Sequence, residues 1–472
     1  MASVTTAPAE LLGMGERIGK IQSGFDADIV VWDADPMSVG ATPIQVWIDG
    51  TAQFKDPVEL KKSPSAPIVP NKDLSAENID TPETYTDILF MGVFEIMVSG
   101  QERTFTSGGD VLIKDGKIVC TGDCASESAT GSGSALKIVA LKDGHLTAPF
   151  TAFGSDLGLS EIQAEDATQN GPDTDEVFSL AVDGLQMQGK QLQASFAHGV
   201  VNAISAPMYN NGGQHGVSVG FSIGATHALQ EGAIWNAATA VHYTLTLSGK
   251  SDKTPSISSA IGALRSKLLK ALSSNETDVY SEAYFMQKVV RDSFPLVITV
   301  HSADTIASLL RLKADVETKL SNEHKINLVL LGAAESHIVA KEIAASNASV
   351  VLAPLLAYAV NWDQRRSLSG APLTNGTTID TLLDAGVLTA VGTTEGETWE
   401  VRNLNLMAGI VYRNSGGRVS KMQALELVSS NFEKILGVKI GSKSDFVVFE
   451  GDPLEIGGRV KAVATLGRVD LF

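Results

Sequence analysis

"PLVITVHSADTIASLLRLKADVETKL", Pro295 to Leu320, decides how this chain folds. Its first seven residues are almost continuously apolar and β-branched. Such a run suits a strand covered on both faces, as in a parallel sheet. The residues after it place Ile306, Leu309, Leu310, Lys313, Val316 and Leu320 near a helical period. A strand that feeds directly into a helix is one βα unit.

The unit recurs. "GVVNAISAP" (199–207), "INLVLLG" (326–332), "SVVLAP" (349–354) and "VLTAVG" (387–392) are further buried-strand candidates. "ESHIVAKEIAAS", "TIDTLLDAG" and "SKMQALELVSSN" carry helical periods between and after them. This alternation predicts an α/β fold, a (β/α)8 TIM-like barrel over residues 148–436. The alternative, a doubly wound open sheet, lacks a G-x-G-x-x-G loop to support it. Residues 85–147 instead read as antiparallel strands. "DVLIKDGKIVCTG" turns at Asp115-Gly116, and "ALKIVALKDGHLTAP" is expected to turn at Asp143-Gly144, since Asp-Gly is a strong hairpin signal.

Composition narrows the function. The 472 residues are 44% hydrophobic, with a net charge of −18 from 54 acidic and 36 basic side chains. An acidic surface repels phosphate backbones, so nucleic acid is excluded as a partner. The longest apolar runs are strand-sized and too short to span a bilayer, so no membrane is expected either. No basic segment followed by an apolar one opens the chain, and the compartment is taken as cytoplasmic by default. Cys120 and Cys124 are spaced C-x₃-C. They read as an incidental pair near a loop in a reduced chain, because a structural zinc site needs two more ligands nearby. Sequons at Asn275, Asn347 and Asn375 matter only in a secreted protein.

The chain also repeats itself. "APAELLGMGERIGKIQSGFDADIVVWDADP" (7–36) parallels "NFEKILGVKIGSKSDFVVFEGDP" (431–453). Asp28 matches Asp445, Val30 and Val31 match Val447 and Val448, and Asp35-Pro36 matches Asp452-Pro453. A repeated segment is a repeated structural unit. Residues 1–54 are therefore expected to be the β-rich tail of a preceding copy, and 55–84, rich in Pro, Ser and charge, a linker. On that reading the chain is the C-terminal part of a tandem protein. It packs against a sister domain, intramolecularly or homotypically, and self-associates through bare apolar strands when alone.

Taken together and in order, "DVLIKDGKIVCTG", "PLVITVHSADTIASLLRL", "DAGVLTAVGTTEGE", "SSNFEKILGV" and "SDFVVFEGDP" make the chain resemble the amidohydrolase superfamily, in particular its imidazolonepropionase-like branch. The resemblance implies a metal-bearing barrel with a small β-sandwich built from both ends of the domain, residues 85–147 and 437–472. It implies hydrolysis of non-peptide C–N bonds in a small-molecule substrate, by zinc or another divalent metal that activates water. The ligands belong at the C-terminal ends of barrel strands, and this sequence departs from the pattern there. A His-x-His pair is expected after the first strand, where Gly154 and Asp156 stand. The fifth strand keeps its histidine, His301. The sixth offers Gly332, with His337 five residues on in a helix turn. The eighth puts Thr394 where an aspartate base belongs, and Thr has no pKa near neutrality. One imidazole does not hold a catalytic metal, which needs about three protein ligands.

Other candidates are a rewired set drawn from His198, His215 or His227, with His242 in the same long segment, and the carboxylates Glu395 and Glu397 after the eighth strand. The acidic run at 161–176 reads as a solvated loop. Two functions follow. One is a metal-dependent amidohydrolase. The other is a catalytically silent barrel with a structural or regulatory role beside an active sister.

Overall fold

The chain is described by a computed structural model over residues 1–64, 82–98, 100–129, 136–171, 177–208, 213–320 and 324–472. Eight staves form the barrel: β1 (Phe150–Phe153), β2 (Val200–Ser205), β3 (Gln214–Val217 and Val219–Ser222), β4 (Val241–Thr244), β5 (Leu296–Val300), β6 (Leu328–Gly332), β7 (Ser349–Leu352) and β8 (Thr389–Val391). From β4 to β8 every neighbouring pair is parallel, and β1 runs parallel to β2. The apolar runs that predict strands are buried in both directions, inward and against the helices.

The third stave is reversed. Its first half pairs antiparallel with β4, Val217 opposite Val241, and its second half antiparallel with β2, Val219 opposite Ser205. Between the halves, the Ser218 N–H donates to the Ala240 carbonyl at 3.0 Å. The cause is the length of the connection. Only residues 206–213 separate β2 from β3. A parallel crossover needs a dozen or more residues, so the chain turns straight back. The barrel closes between β8 and β1, where the Thr393 N–H donates to the Phe153 carbonyl at 2.9 Å. Glycine makes that seam. A Cβ on Gly154 would lie 2.4 Å from the Thr393 oxygen, and one on Gly392 2.5 Å from the Phe153 oxygen.

Helices cover the outside. Ile306, Leu309, Leu310 and Val316 of helix Ala303–Glu317 are buried, as their spacing predicts. Helices Ile257–Ser273 and Glu282–Arg291 begin at Ser256 and Ser281, whose hydroxyls accept the N–H of the residue three further on.

Strands from both ends of the body join one eight-stranded sheet. Its order is Glu83–Tyr85, Arg468–Leu471, Arg459–Thr465, Phe446–Glu450, Lys137–Thr147, Ile88–Met97, Arg103–Lys114, Lys117–Gly122. The turn at Asp115-Gly116 is present, with both residues at positive φ. The one expected at Asp143-Gly144 is not, because Lys137–Thr147 runs through as a single strand. Gly144 serves a close approach instead: a Cβ there would sit 2.8 Å from the Gly92 oxygen. Cys120 and Cys124 are joined as a disulfide, which corrects the reading of them as an incidental pair of free thiols.

The N-terminal tail is a three-stranded antiparallel sheet, Ile29–Trp32, Pro43–Ile48, Thr51–Ala52. It repeats the C-terminal strands in detail. The pairing slips between Val31 and Trp32, and it slips between the matching Val448 and Phe449. Both hairpins turn on two residues at positive φ, Asp49-Gly50 and Leu466-Gly467. The tail lies on helix Leu404–Asn414. Val39 is buried beside Gly409, and the Ser63 N–H donates to the Arg413 carbonyl at 2.9 Å. Of the expected linker, residues 55–64 follow this docked path, and 65–81 lie outside the described residues. No described helix is long and apolar enough to cross a membrane.

Candidate active site at the barrel mouth

The C-terminal ends of the parallel staves converge on the mouth, where the fold places the residues that the resemblance singles out. Asp156, three residues past β1, is 2% exposed, and neither carboxylate oxygen has a well-formed hydrogen bond. Burial above all, joined by the Glu395 and Glu397 charges, raises its pKa to about 6, although the backbone N–H groups of Asp156 and Gly396 pull it down.

His301 follows β5 and is partly buried, and that desolvation lowers its pKa in spite of the Asp363 and Glu335 charges. Its Nδ1 has no hydrogen-bond partner. The ring lies across Gly332 at the end of β6. A Cβ on Gly332 would be 2.6 Å from His301 Cε1 and 3.0 Å from Nδ1, and Gly332 has φ +86°. The space that a second histidine needs is thus filled by the first. Thr394, after β8, donates its backbone N–H to Glu400 Oε2 at 3.1 Å, and its carbonyl accepts the Glu397 N–H at 3.0 Å. Glu395 lines a pocket with Ser155, Asp156, His242, Thr299 and Leu331. That pocket offers about 20 Å³, room for about one water molecule.

The other histidines do not converge. His198 sits beyond an outer helix with Nδ1 2.7 Å from the Ala194 carbonyl, and His227 is exposed. The side chain of His215, whose backbone lies in β3, is outside the described residues. His242 is a stave residue of β4, with Nε2 2.9 Å from the buried Ser218 hydroxyl. His337 sits in the 3₁₀ turn Ser336–Val339, where Nδ1 is 3.4 Å from Thr378 Oγ1. In the acidic run, Glu161 accepts the N–H groups of Lys190 and Gln191 at a helix start, and 172–176 lie outside the described residues. Among the described residues no three His, Cys, Asp or Glu side chains gather as metal ligands do. The donor set at the mouth does not fit zinc or a similar divalent ion.

The group that organises the mouth carries no signal in the residue pattern. Glu335, three residues past β6, has no exposed surface. Its Oε1 accepts the Arg366 N–H at 3.0 Å. Its Oε2 accepts the Ala303 N–H at 3.0 Å and Arg366 Nη2 at 2.6 Å. Arg366 Nη2 also donates to Asp304 at 2.9 Å. Asp363 accepts the Leu247 N–H at 3.1 Å. The long segment after β7 is thereby tied to the loops after β4, β5 and β6. A glutamate three residues beyond a strand and a distant Arg-Arg pair carry no spacing signal, so only the fold reveals them.

An αβ-barrel with an attached β-sheet is an architecture found in one class of hydrolases, and comparison with known proteins agrees. Residues 1–52 match a model of the amidohydrolase family. The chain is 43% identical over 478 residues to Amidohydrolase tasK of Hapsidospora irregularis, an alignment covering 93% of this chain and 48% of that protein. The chain thus spans about half the length of the curated relative it matches. An amidohydrolase structure from Thermotoga maritima superposes with a TM-score of 0.61 at 20% identity, covering 80% of this chain and 97% of that one, a likeness of fold. The chain is thus similar in sequence to an amidohydrolase and in fold to a solved structure of that superfamily.

Proposed function

We propose that this barrel has given up metal-assisted hydrolysis and acts as a structural or regulatory companion to an active amidohydrolase unit. The observation that carries this reading is the His301 ring resting on Gly332, because it removes the second imidazole position of the site. The water-sized pocket beside Asp156 supports it, since a cyclic amide or similar substrate has no room there. So does Thr394, which cannot serve as a base at neutral pH. Hydrolysis of non-peptide C–N bonds, with a divalent metal, then belongs to the sister unit.

The test is metal content per chain by elemental mass spectrometry on protein purified without chelators. We expect far less than one equivalent, unchanged in His301→Ala. Near one equivalent of zinc, lost in His301→Ala, overturns the proposal and makes this barrel an enzyme to be screened for hydrolysis.

A further inference from the structure

The two copies of the repeated hairpin differ in one respect. In the C-terminal copy, Phe446–Glu450 pairs on one edge with Arg459–Thr465 and on the other with Lys137–Thr147. In the N-terminal copy, Ile29–Trp32 pairs with Pro43–Ile48, and among the described residues its other edge carries no strand. The side chains follow the pairing. Val447 and Val448 have no exposed surface, whereas their counterparts Val30 and Val31 are 45% and 42% exposed. Turn, slip of register and apolar sequence are all those of a strand inside a sheet, yet this one lies bare at an edge. Natural edge strands are usually protected by charge, Pro or a covering element; between Asp28 and Asp33 this one carries no charge or Pro, and among the described residues no strand covers its edge.

We propose that the Ile29–Trp32 edge is completed by an antiparallel strand of the Lys137–Thr147 type, from a second amidohydrolase-like unit on the same longer polypeptide. Two observations select that occupant. A second copy of this chain cannot supply the strand, since Gly144–Thr147, the stretch that would pair, is already paired on both edges in that copy. And the matched relative is about twice as long as the part this chain covers, which leaves room for another unit of this size. Strand addition of this kind binds through the backbone and gains specificity from alternate side chains, here Val30 on one face and Val31 on the other. The tail's contacts with helix Leu404–Asn414 then fix where the second unit sits. The inference stands on the repeat and on the length of the matched relative, and does not depend on whether this barrel binds metal.

The experiment compares backbone amide exchange at Ile29–Trp32 in this 472-residue chain and in the longer natural polypeptide, with light scattering on both. Protection about 100-fold greater in the longer protein, abolished by Val31→Lys there, is the expected result. Equal exchange in the two proteins overturns the proposal. So does a short chain that dimerises and protects Ile29–Trp32 by itself, which assigns the edge to self-association.

Discussion

Asp156 shows how a single replaced ligand changes the energetics of a site. A carboxyl that titrates near 3.8 when unfolded and at about 6 when folded holds its proton more tightly in the native state. The native state therefore binds more protons between those values, and stability falls as pH rises from about 4 to 6, then levels off. Two pKa units correspond to about 3 kcal/mol. Asp156→Asn removes the charge that must be buried above pH 6. Urea unfolding should show the variant more stable than the parent by about 1–3 kcal/mol at pH 7.5, with a shallower decline from pH 4 to 6. Asp445, also raised to about 6 by burial, accounts for the slope that remains. Gly332 gives a second prediction. Gly332→Ala forces a side chain into a left-handed backbone and against His301, and should cost about 2–4 kcal/mol by urea unfolding. In a His301→Ala background the cost should fall, because half of the conflict is gone, and the double-mutant cycle measures that coupling. Asp156 and Gly332 were legible in the sequence as departures from a ligand pattern. What was not legible is that the retained His301 ring occupies the place left by Gly332.

Among the elements, β5 to β8 and the helices between them could be read from residue pattern, because buried parallel strands announce themselves as unbroken apolar runs. The third stave escaped, although the eight-residue gap between β2 and β3 held the clue: it is too short for a crossover. Asp143-Gly144 misled for the opposite reason, since Gly there answers to a neighbouring strand rather than to a turn. The segment between β7 and helix Thr378–Asp384 owes its place to Glu335 and Arg366. Arg366→Ala leaves a carboxylate with no exposed surface facing a lost partner, a change that costs about 3–5 kcal/mol for a fully buried pair. Arg366 is itself about one-third exposed, so about 2–3 kcal/mol is expected here. Limited proteolysis should cut the variant within residues 355–376 much faster than the parent. Glu335→Gln with Arg366→Ala should recover part of the stability, since no unpaired charge then remains.

For the molecule as a whole, the main core spans the barrel, its helices and the inner face of the attached sheet, and takes no side chain from residues 1–64. Deleting those residues should leave the far-UV circular dichroism of the barrel intact. It should lower Tm by only a few degrees, since the shift per kcal/mol, roughly 2–4 °C for a domain of about 150–250 residues, is smaller still for a larger body. A collapse of the barrel would show that the tail's contacts with helix Leu404–Asn414 matter more than their small buried surface suggests. The reversed stave has a consequence in time rather than in space. β2 and β3 meet across a short loop, so their pairing closes early and cheaply while the chain is still being made. The Phe153–Thr393 seam joins residues 240 positions apart. Until it shuts, β8 is an open flank, and the ribosome must deliver nearly the whole barrel before its last edge is hidden from neighbouring nascent chains.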